Sequence, residues 1–338
     1  MKKYLAIYKK AFTLKRFINL LKIACSYLIS LIIRKPIVWG YPPIVMIEPT
    51  NICNLKCPLC PSGADQLSRE RGYMSFELFK KIVDEVCEFS FMLILWNQGE
   101  PFLNPEFCKM MEYANSKRMY LMVSTNANLL PDAGKIIDSG VDRLIVSLDG
   151  ATQETYNKYR VNGSLEKVLM NVKAIVETKK LKKSKTPHII WQFLVMKHNE
   201  HEIDEIKSLS KEIGVDECSL KTVQIYSKDD IDNYLPANPK YRRYKITGDN
   251  FELKFKIKNR CYRIWNQPVI NWNGEMAVCC FDKDNQFKIG NIKDKSFSKL
   301  WHSNIFNSFR QSILKDRSKF EICRNCGEGV SLKIKNNK

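Results

Sequence analysis

Six short apolar runs, each leading into a polar or cysteine-bearing segment, constrain this chain more than any other feature. They are IVMI (44–47), FMLILW (91–96), YLMVST (120–125), RLIVSL (143–148), IIWQFLV (189–195) and ECSLKTV (217–223). They are almost continuously apolar, as strands covered on both faces should be. Amphipathic stretches separate them. In SFELFKKIVDEVCEF, Ser75 is placed to cap a helix on which Phe79, Ile82, Val83 and Val86 share one face. PEFCKMMEYANSK, SLEKVLMNVKAIVETKK and NEHEIDEIKSLSKEIG read the same way, the last stopped by Gly214. Repeated β/α units of this kind predict a parallel sheet with crossover helices.

Parallel α/β sheets do their chemistry at the carboxyl ends of their strands. The first run is followed there by EPTNICNLKCPLC, whose cysteines Cys53, Cys57 and Cys60 are spaced C-x3-C-x2-C. NQGEP (97–101) follows the second, the third runs into STNAN (124–128), and the fourth into SLDG (147–150). All four segments would share one rim. The loop offers three thiols where a closed zinc site needs four ligands, and none of the chain's four histidines lies in it. Soft thiolates suit iron–sulfur clusters.

The placement of C-x3-C-x2-C after the first strand resembles the radical S-adenosylmethionine (SAM) superfamily. That resemblance implies a [4Fe–4S] cluster on Cys53, Cys57 and Cys60, with one iron left open for the amino and carboxylate groups of SAM. It also implies reductive cleavage of SAM to a 5′-deoxyadenosyl radical that abstracts hydrogen from a substrate, chemistry that belongs to the cofactor. NQGEP resembles the family's GGE segment beside the SAM amino group, with Gly99 and Glu100 matching and Gln98 standing where the family has glycine. Ser124, Asn126, Ser147 and Asp149 resemble family positions around the ribose and carboxylate of SAM, and Arg160 could pair with that carboxylate. Asp149-Gly150 also reads as a plain turn, Ser124 as a strand-end hydroxyl, and Arg160 as a surface arginine.

A second cysteine group comprises Cys261, Cys279, Cys323 and Cys326 in the pattern C-x12-G-x4-C followed by C-x2-C. Val269–Trp272, a turn at Asn273-Gly274 and Met276–Cys279 read as a hairpin that returns Cys279 towards Cys261. Two paired groups of cysteines also suit tetrahedral zinc. The pattern resembles the SPASM/twitch auxiliary-cluster domain, which implies one auxiliary [4Fe–4S] cluster here, since no cysteine follows Cys326. Cys280 reads as a buried thiol or a substitute ligand, and Cys25, Cys87, Cys108 and Cys218 as core residues.

The fold expected from the resemblance, which covers about Ile44 to Gly329, is α/β: a partial (β/α)6 TIM-like barrel with a small C-terminal Cys-rich α+β auxiliary-cluster domain. The expected division is a basic and apolar helical segment (1–38), the barrel (39–227), a charged connection containing Pro236 and Pro239 (228–258), and the auxiliary domain (259–338). The substrate class expected is a peptide or small molecule, with an electron donor such as flavodoxin or ferredoxin.

The balance of 55 Lys+Arg against 36 Asp+Glu, a net charge of +19, favours anionic partners or simply a lysine-rich surface. A nucleic-acid-modifying member of the superfamily is an alternative, although no aromatic RNA-binding pattern is present. A non-enzymatic metal scaffold is another. The N-terminus shows no small-residue cleavage site, and the twelve cysteines fall into metal-type groups, so a reducing cytoplasm is expected. The uncharged run IACSYLISLII (23–33) is shorter than the roughly 20 residues of a spanning helix. It reads as a helix packed on the main domain or lying in a membrane interface, with peripheral membrane contact through residues 19–34.

Overall fold

The computed structural model describes residues 2–327, so residues 328–338 of the expected auxiliary domain, Gly329 among them, lie outside the described residues. The chain opens with helices α1 (Lys2–Ala11) and α2 (Leu14–Ile33). The β/α repeats follow as β1 (Ile44–Ile47), α3 (Phe76–Val86), β2 (Met92–Ile94), α4 (Phe107–Ser116), β3 (Tyr120–Thr125), α5 (Ala133–Asp138) and β4 (Arg143–Ser147). They continue with α6 (Gln153–Asn157), α7 (Leu165–Leu181), β5 (His188–Val195), α8 (Ile203–Ile213) and β6 (Glu217–Thr222).

Strands β1 to β6 pair in sequence order and all in parallel. Alternation along them sends one set of side chains outward and the other inward. Val45, Ile47, Leu121, Val123, Leu144, Val146, Trp191 and Phe193 pack outward in the main core with the helices. Ser75 caps α3, accepting from Leu78 N at 3.3 Å, and Gly214 ends α8 in the left-handed region at φ 86°. The amino ends of the strands are closed by the N-terminal helices: Ile7, Ala11 and Leu20 pack with Met46, Ile94 and Tyr120. Lys10 Nζ reaches Asp142 Oδ2 at 2.6 Å there. The opposite rim, where the four polar segments emerge, stays free for a site.

The segment 228–258, read as a connection, carries α9 (Lys228–Tyr234) and a hairpin of β7 (Tyr244–Thr247) and β8 (Asn250–Leu253). The C-terminal part comprises α10 (Arg263–Asn266), β9 (Val269–Ile270), β10 (Glu275–Ala277), β11 (Lys288–Asn291), α11 (Phe297–Trp301), α12 (Asn304–Lys315) and α13 (Glu321–Arg324). The expected hairpin at Asn273-Gly274 forms from β9 and β10, with Gly274 at φ 89°. Strand β9 also pairs in parallel with β1, so the auxiliary part extends the barrel sheet into nine strands, ordered β11-β10-β9-β1-β2-β3-β4-β5-β6.

The N-terminal helix corrects the reading of its apolar run. It spans 20 residues, not eleven, and is long and apolar enough to cross a membrane by length and composition. It does pack on the main domain, but through its polar stripe. Arg16, Asn19, Ile23, Ser26 and Ser30 are buried. Arg16 donates to the carbonyls of Ala11, Cys87, Lys117 and Arg118 at 2.6–3.0 Å, and Asn19 to those of Tyr41 and Phe89 at 2.8 and 3.1 Å. The apolar stripe faces outward. Cys25 is exposed on this helix, and Cys87, Cys108 and Cys218 are half-buried, so none of the four is a fully buried core residue.

Candidate active site

The loop after β1 is held by a buried ion pair that sequence reasoning missed. Glu48, at the strand's end, is fully buried and takes both arms of Arg69 at 2.6 Å. Its Oε2 also accepts from Gln98 N at 3.1 Å, and Arg69 Nε donates to Lys283 O at 2.7 Å, which ties the loop to the auxiliary part. The Arg69–Glu48 pair is long-range, and only its carboxylate sits beside the recognisable motif.

Gly99 sits at φ 75° against this loop. A Cβ there would lie 2.6–2.7 Å from backbone atoms of Thr50, Asn51 and Ile52, so the glycine is needed for close approach. Its N–H donates to Ser62 Oγ at 3.1 Å. Glu100 is 2% exposed and reaches β3: Oε1 accepts from Thr125 Oγ1 at 2.8 Å, and Oε2 from Asn126 N at 2.7 Å. Burial pushes its carboxyl up to about 7 against the lowering by these donors. Asn126 in turn donates to Asn54 Oδ1 at 2.9 Å and faces Cys53 Sγ at 3.9 Å. Ser124 and Ser147 lie at the carboxyl ends of β3 and β4, where the expected rim places them.

Asp149 is fully buried, with Oδ1 accepting from Leu194 N at 2.7 Å and Oδ2 held by Arg160 at 2.6 Å. Its carboxylate therefore sits behind Arg160 and is already engaged. Arg160 Nη1 points to Cys57 Sγ at 3.7 Å. Burial works against the Arg160 charge, but Asp149 and then Cys57 outweigh it and raise its pKa further. Neither residue is the surface arginine or plain turn that the sequence left open.

The thiols of Cys53, Cys57 and Cys60 form no disulfide, and their setting fits thiolates bound to an iron–sulfur core. Burial pushes Cys53 up to about 12 and also raises Cys57, against lowering by the Leu55 N–H at Cys53 and by Arg160 at Cys57. Such thiols stay protonated unless a metal group ionises them. The sulfurs already face donors suited to thiolate: Leu55 N at 3.5 Å and Asn126 Nδ2 at 3.9 Å for Cys53, and Arg160 for Cys57. Among the described residues no three Cys, His, Asp or Glu groups converge as ligands of a single ion would.

The second group gathers around Arg317, another residue the sequence did not single out. Arg317 is 4% exposed; burial works against its charge, but Cys261, Cys326 and Cys323 outweigh it and raise its pKa. Its Nε is buried with no hydrogen-bond partner, as expected of a donor facing an anionic group. Cys279 is raised well above its ordinary value by burial, then by Cys280 and Cys261. Cys280 Sγ accepts from Arg263 Nη1 at 3.5 Å. Between the two cysteine groups lies a cavity of about 930 Å³, bounded by Pro58 and Pro61 of the loop, Gln224 and Tyr226 after β6, and Arg324 and Asn325 beside Cys326.

Comparison with known proteins bears on this arrangement. Residues 47–210 match the model of the radical SAM superfamily, and residues 261–327 that of the SPASM iron–sulfur cluster-binding domain. The AdoMet-dependent heme synthase of Methanosarcina barkeri is 31% identical over 245 residues, 70% of this chain and 68% of that protein. The tungsten-containing aldehyde ferredoxin oxidoreductase cofactor-modifying protein of Pyrococcus furiosus is 24% identical over 310 residues, 83% of this chain and 86% of that one. In fold, the chain is similar to SuiB of Streptococcus suis, solved with S-adenosylmethionine (TM-score 0.63, 16% identity, 96% of this chain and 82% of SuiB). SuiB is also solved with its precursor peptide SuiA (TM-score 0.62, 15% identity, 93% and 76%).

Proposed function

The chain belongs to the radical SAM superfamily and carries a SPASM domain, and from that premise we propose that it modifies a peptide or small molecule held in the cavity between its two cysteine groups. The protein is an enzyme of this superfamily, and the two domains bring a SAM-binding [4Fe–4S] cluster and auxiliary iron–sulfur binding with them. When bound, the cluster and SAM supply one-electron chemistry that ends in hydrogen-atom abstraction. The observation that carries the substrate reading is the cavity, which is bounded by both cysteine-bearing segments. SuiB and its precursor peptide make a peptide one of the two candidate substrate classes.

In this reading Cys53, Cys57 and Cys60 hold the cluster at the rim, and Cys261, Cys279, Cys323 and Cys326 hold one auxiliary [4Fe–4S] cluster. Gly99 lets the segment after β2 approach the loop, and Glu100 fixes the ends of β2 and β3 beside the SAM amino group. Ser124, Asn126 and Ser147 border SAM. Asp149 orients Arg160, whose guanidinium lies near both Cys57 and the SAM carboxylate. Arg317 balances charge at the auxiliary group. The working division is residues 1–38, 39–227, 228–258 and 259–338. Flavodoxin or ferredoxin is the electron donor, and the protein is cytoplasmic with peripheral membrane contact through residues 19–34, a reading supported by the outward apolar face of α2.

Anaerobic reconstitution followed by dithionite and SAM tests initiation. Wild type should form 5′-deoxyadenosine and Cys53→Ala should not. Equal amounts from the two proteins would remove the proposal.

A further inference from the structure

Helix α2 is inverted relative to an ordinary surface helix. Its buried stripe is mostly polar, whereas Leu14, Phe17, Ile18, Leu21, Leu28 and Ile32 are 36–80% exposed. At 3.6 residues per turn these positions fall on one face, so they form one apolar stripe along the helix. Basic residues flank it: Lys15, Lys22, Arg34 and Lys35 are exposed, and Trp39 is 54% exposed beyond its end. The first 47 residues carry nine Lys and Arg and no Asp or Glu. Beside α2 opens a second cavity of about 830 Å³, whose buried lining includes Arg317 and Cys326 of the auxiliary group, and along which Tyr27, Leu28 and Leu31 accompany the exposed Lys256, Lys258 and Arg260 of the irregular segment that leads to Cys261.

We propose that α2 lies in the surface plane of an anionic bilayer, with its outer stripe in the acyl boundary and the exposed Lys256, Lys258 and Arg260 beside it meeting the phosphate of a lipid headgroup. This rests on the membrane contact proposed above and adds an orientation and a headgroup site. The polar stripe decides against spanning: Arg16 and Asn19 are bonded to carbonyls of the main domain, which a helix crossing the bilayer would have to abandon. An apolar stripe with a basic border and an interfacial tryptophan is the pattern of a helix lying on a membrane. A second copy of this surface would bring like charges together. An acidic redox protein would match the charges and leave the apolar stripe without a partner.

Flotation of the full-length protein tests this, with vesicles of phosphatidylcholine alone or mixed equally with phosphatidylglycerol. Wild type should float with the mixed vesicles at least about tenfold more than with phosphatidylcholine, and lose that preference in high salt. Leu28→Glu/Ile32→Glu, at exposed positions, should abolish flotation while its thermal unfolding stays that of wild type. Lys256→Glu/Arg260→Glu should lose the preference for phosphatidylglycerol and keep residual binding. No flotation of wild type overturns the membrane contact itself. Flotation with an unchanged phosphatidylglycerol preference in Lys256→Glu/Arg260→Glu overturns the headgroup site alone. A wild-type dimer in vesicle-free solution that Leu28→Glu/Ile32→Glu dissociates assigns the stripe to a second copy and overturns the proposal, as does a Leu28→Glu/Ile32→Glu protein that floats like wild type and is defective only in reduction by flavodoxin.

Discussion

Asp149 holds Arg160 against the cysteine loop: Arg160 Nε and Nη2 each lie 2.6 Å from Asp149 Oδ2, while Arg160 Nη1 lies 3.7 Å from Cys57 Sγ. The carboxylate side chain is 1% exposed and the guanidinium 15%, so neither charge has water to fall back on. Asp149→Asn leaves a buried cation without its partner, a change that costs about 3–5 kcal/mol. The expected outcome is a fall of that order in unfolding free energy, measured by denaturant titration, together with weaker SAM binding. Asp149→Asn with wild-type stability would show that the pair is not holding Arg160.

Gly99→Ala should damage the site through the backbone. The added methyl meets main-chain atoms of Thr50 and Ile52 at 2.6–2.7 Å at a left-handed φ, so the loop or the segment after β2 must move. A cost of about 1–3 kcal/mol is expected, with less iron retained per chain after reconstitution. Gly248→Ala is the control. Its φ is 58° but nothing lies within 4 Å of the added Cβ, so it should keep its iron.

Stability of the cluster-free protein should depend on pH through Glu100. Its folded pKa of about 7 lies above its ordinary value of 4.5 because of burial. The folded state therefore holds this proton where the unfolded chain has lost it. Stability is full below pH about 4.5 and declines up to pH about 7, by on the order of 3 kcal/mol in all. Glu100→Gln should flatten that slope in melting curves recorded from pH 4.5 to 7.5. An unchanged slope assigns the titration to another group.

Arg317→Met should make the auxiliary group harder to reduce. Removing a buried positive charge from among Cys261, Cys323 and Cys326 destabilises the added electron. The midpoint potential is expected to fall by on the order of 60 mV, a tenfold change in a one-electron equilibrium. A redox titration followed by visible absorption measures it.

What the sequence made legible was local. The runs at 44–47 and 120–125 coincide with β1 and β3 because each is a short apolar stretch closed by polar residues. Helix α5 was missed because AGKIID buries only Ile136 and Ile137 and leaves too little pattern. The hairpin at Gly274 was readable from its turn, but the parallel pairing of β9 with β1 was not, since register between distant strands leaves no local mark. The start of α2 was obscured by Lys15, Arg16 and Lys22, which a spacing argument counts as interruptions. In the fold, Lys15 and Lys22 point outward and Arg16 is buried among carbonyls. The cysteines and Glu100 declared themselves by motif. Arg69, Thr125 and Arg317 did not, because their partners lie across the fold.

We propose that the three thiols of Cys53, Cys57 and Cys60 leave one corner of a cluster open to SAM while four close the other. Electron paramagnetic resonance of the reduced, reconstituted protein tests it most directly. Wild type should show two cluster signals, of which SAM alters one; Cys53→Ala should lose the SAM-sensitive signal and Cys261→Ala should keep it. A SAM-sensitive signal that persists in Cys53→Ala and vanishes in Cys261→Ala would place the open iron in the other cysteine group.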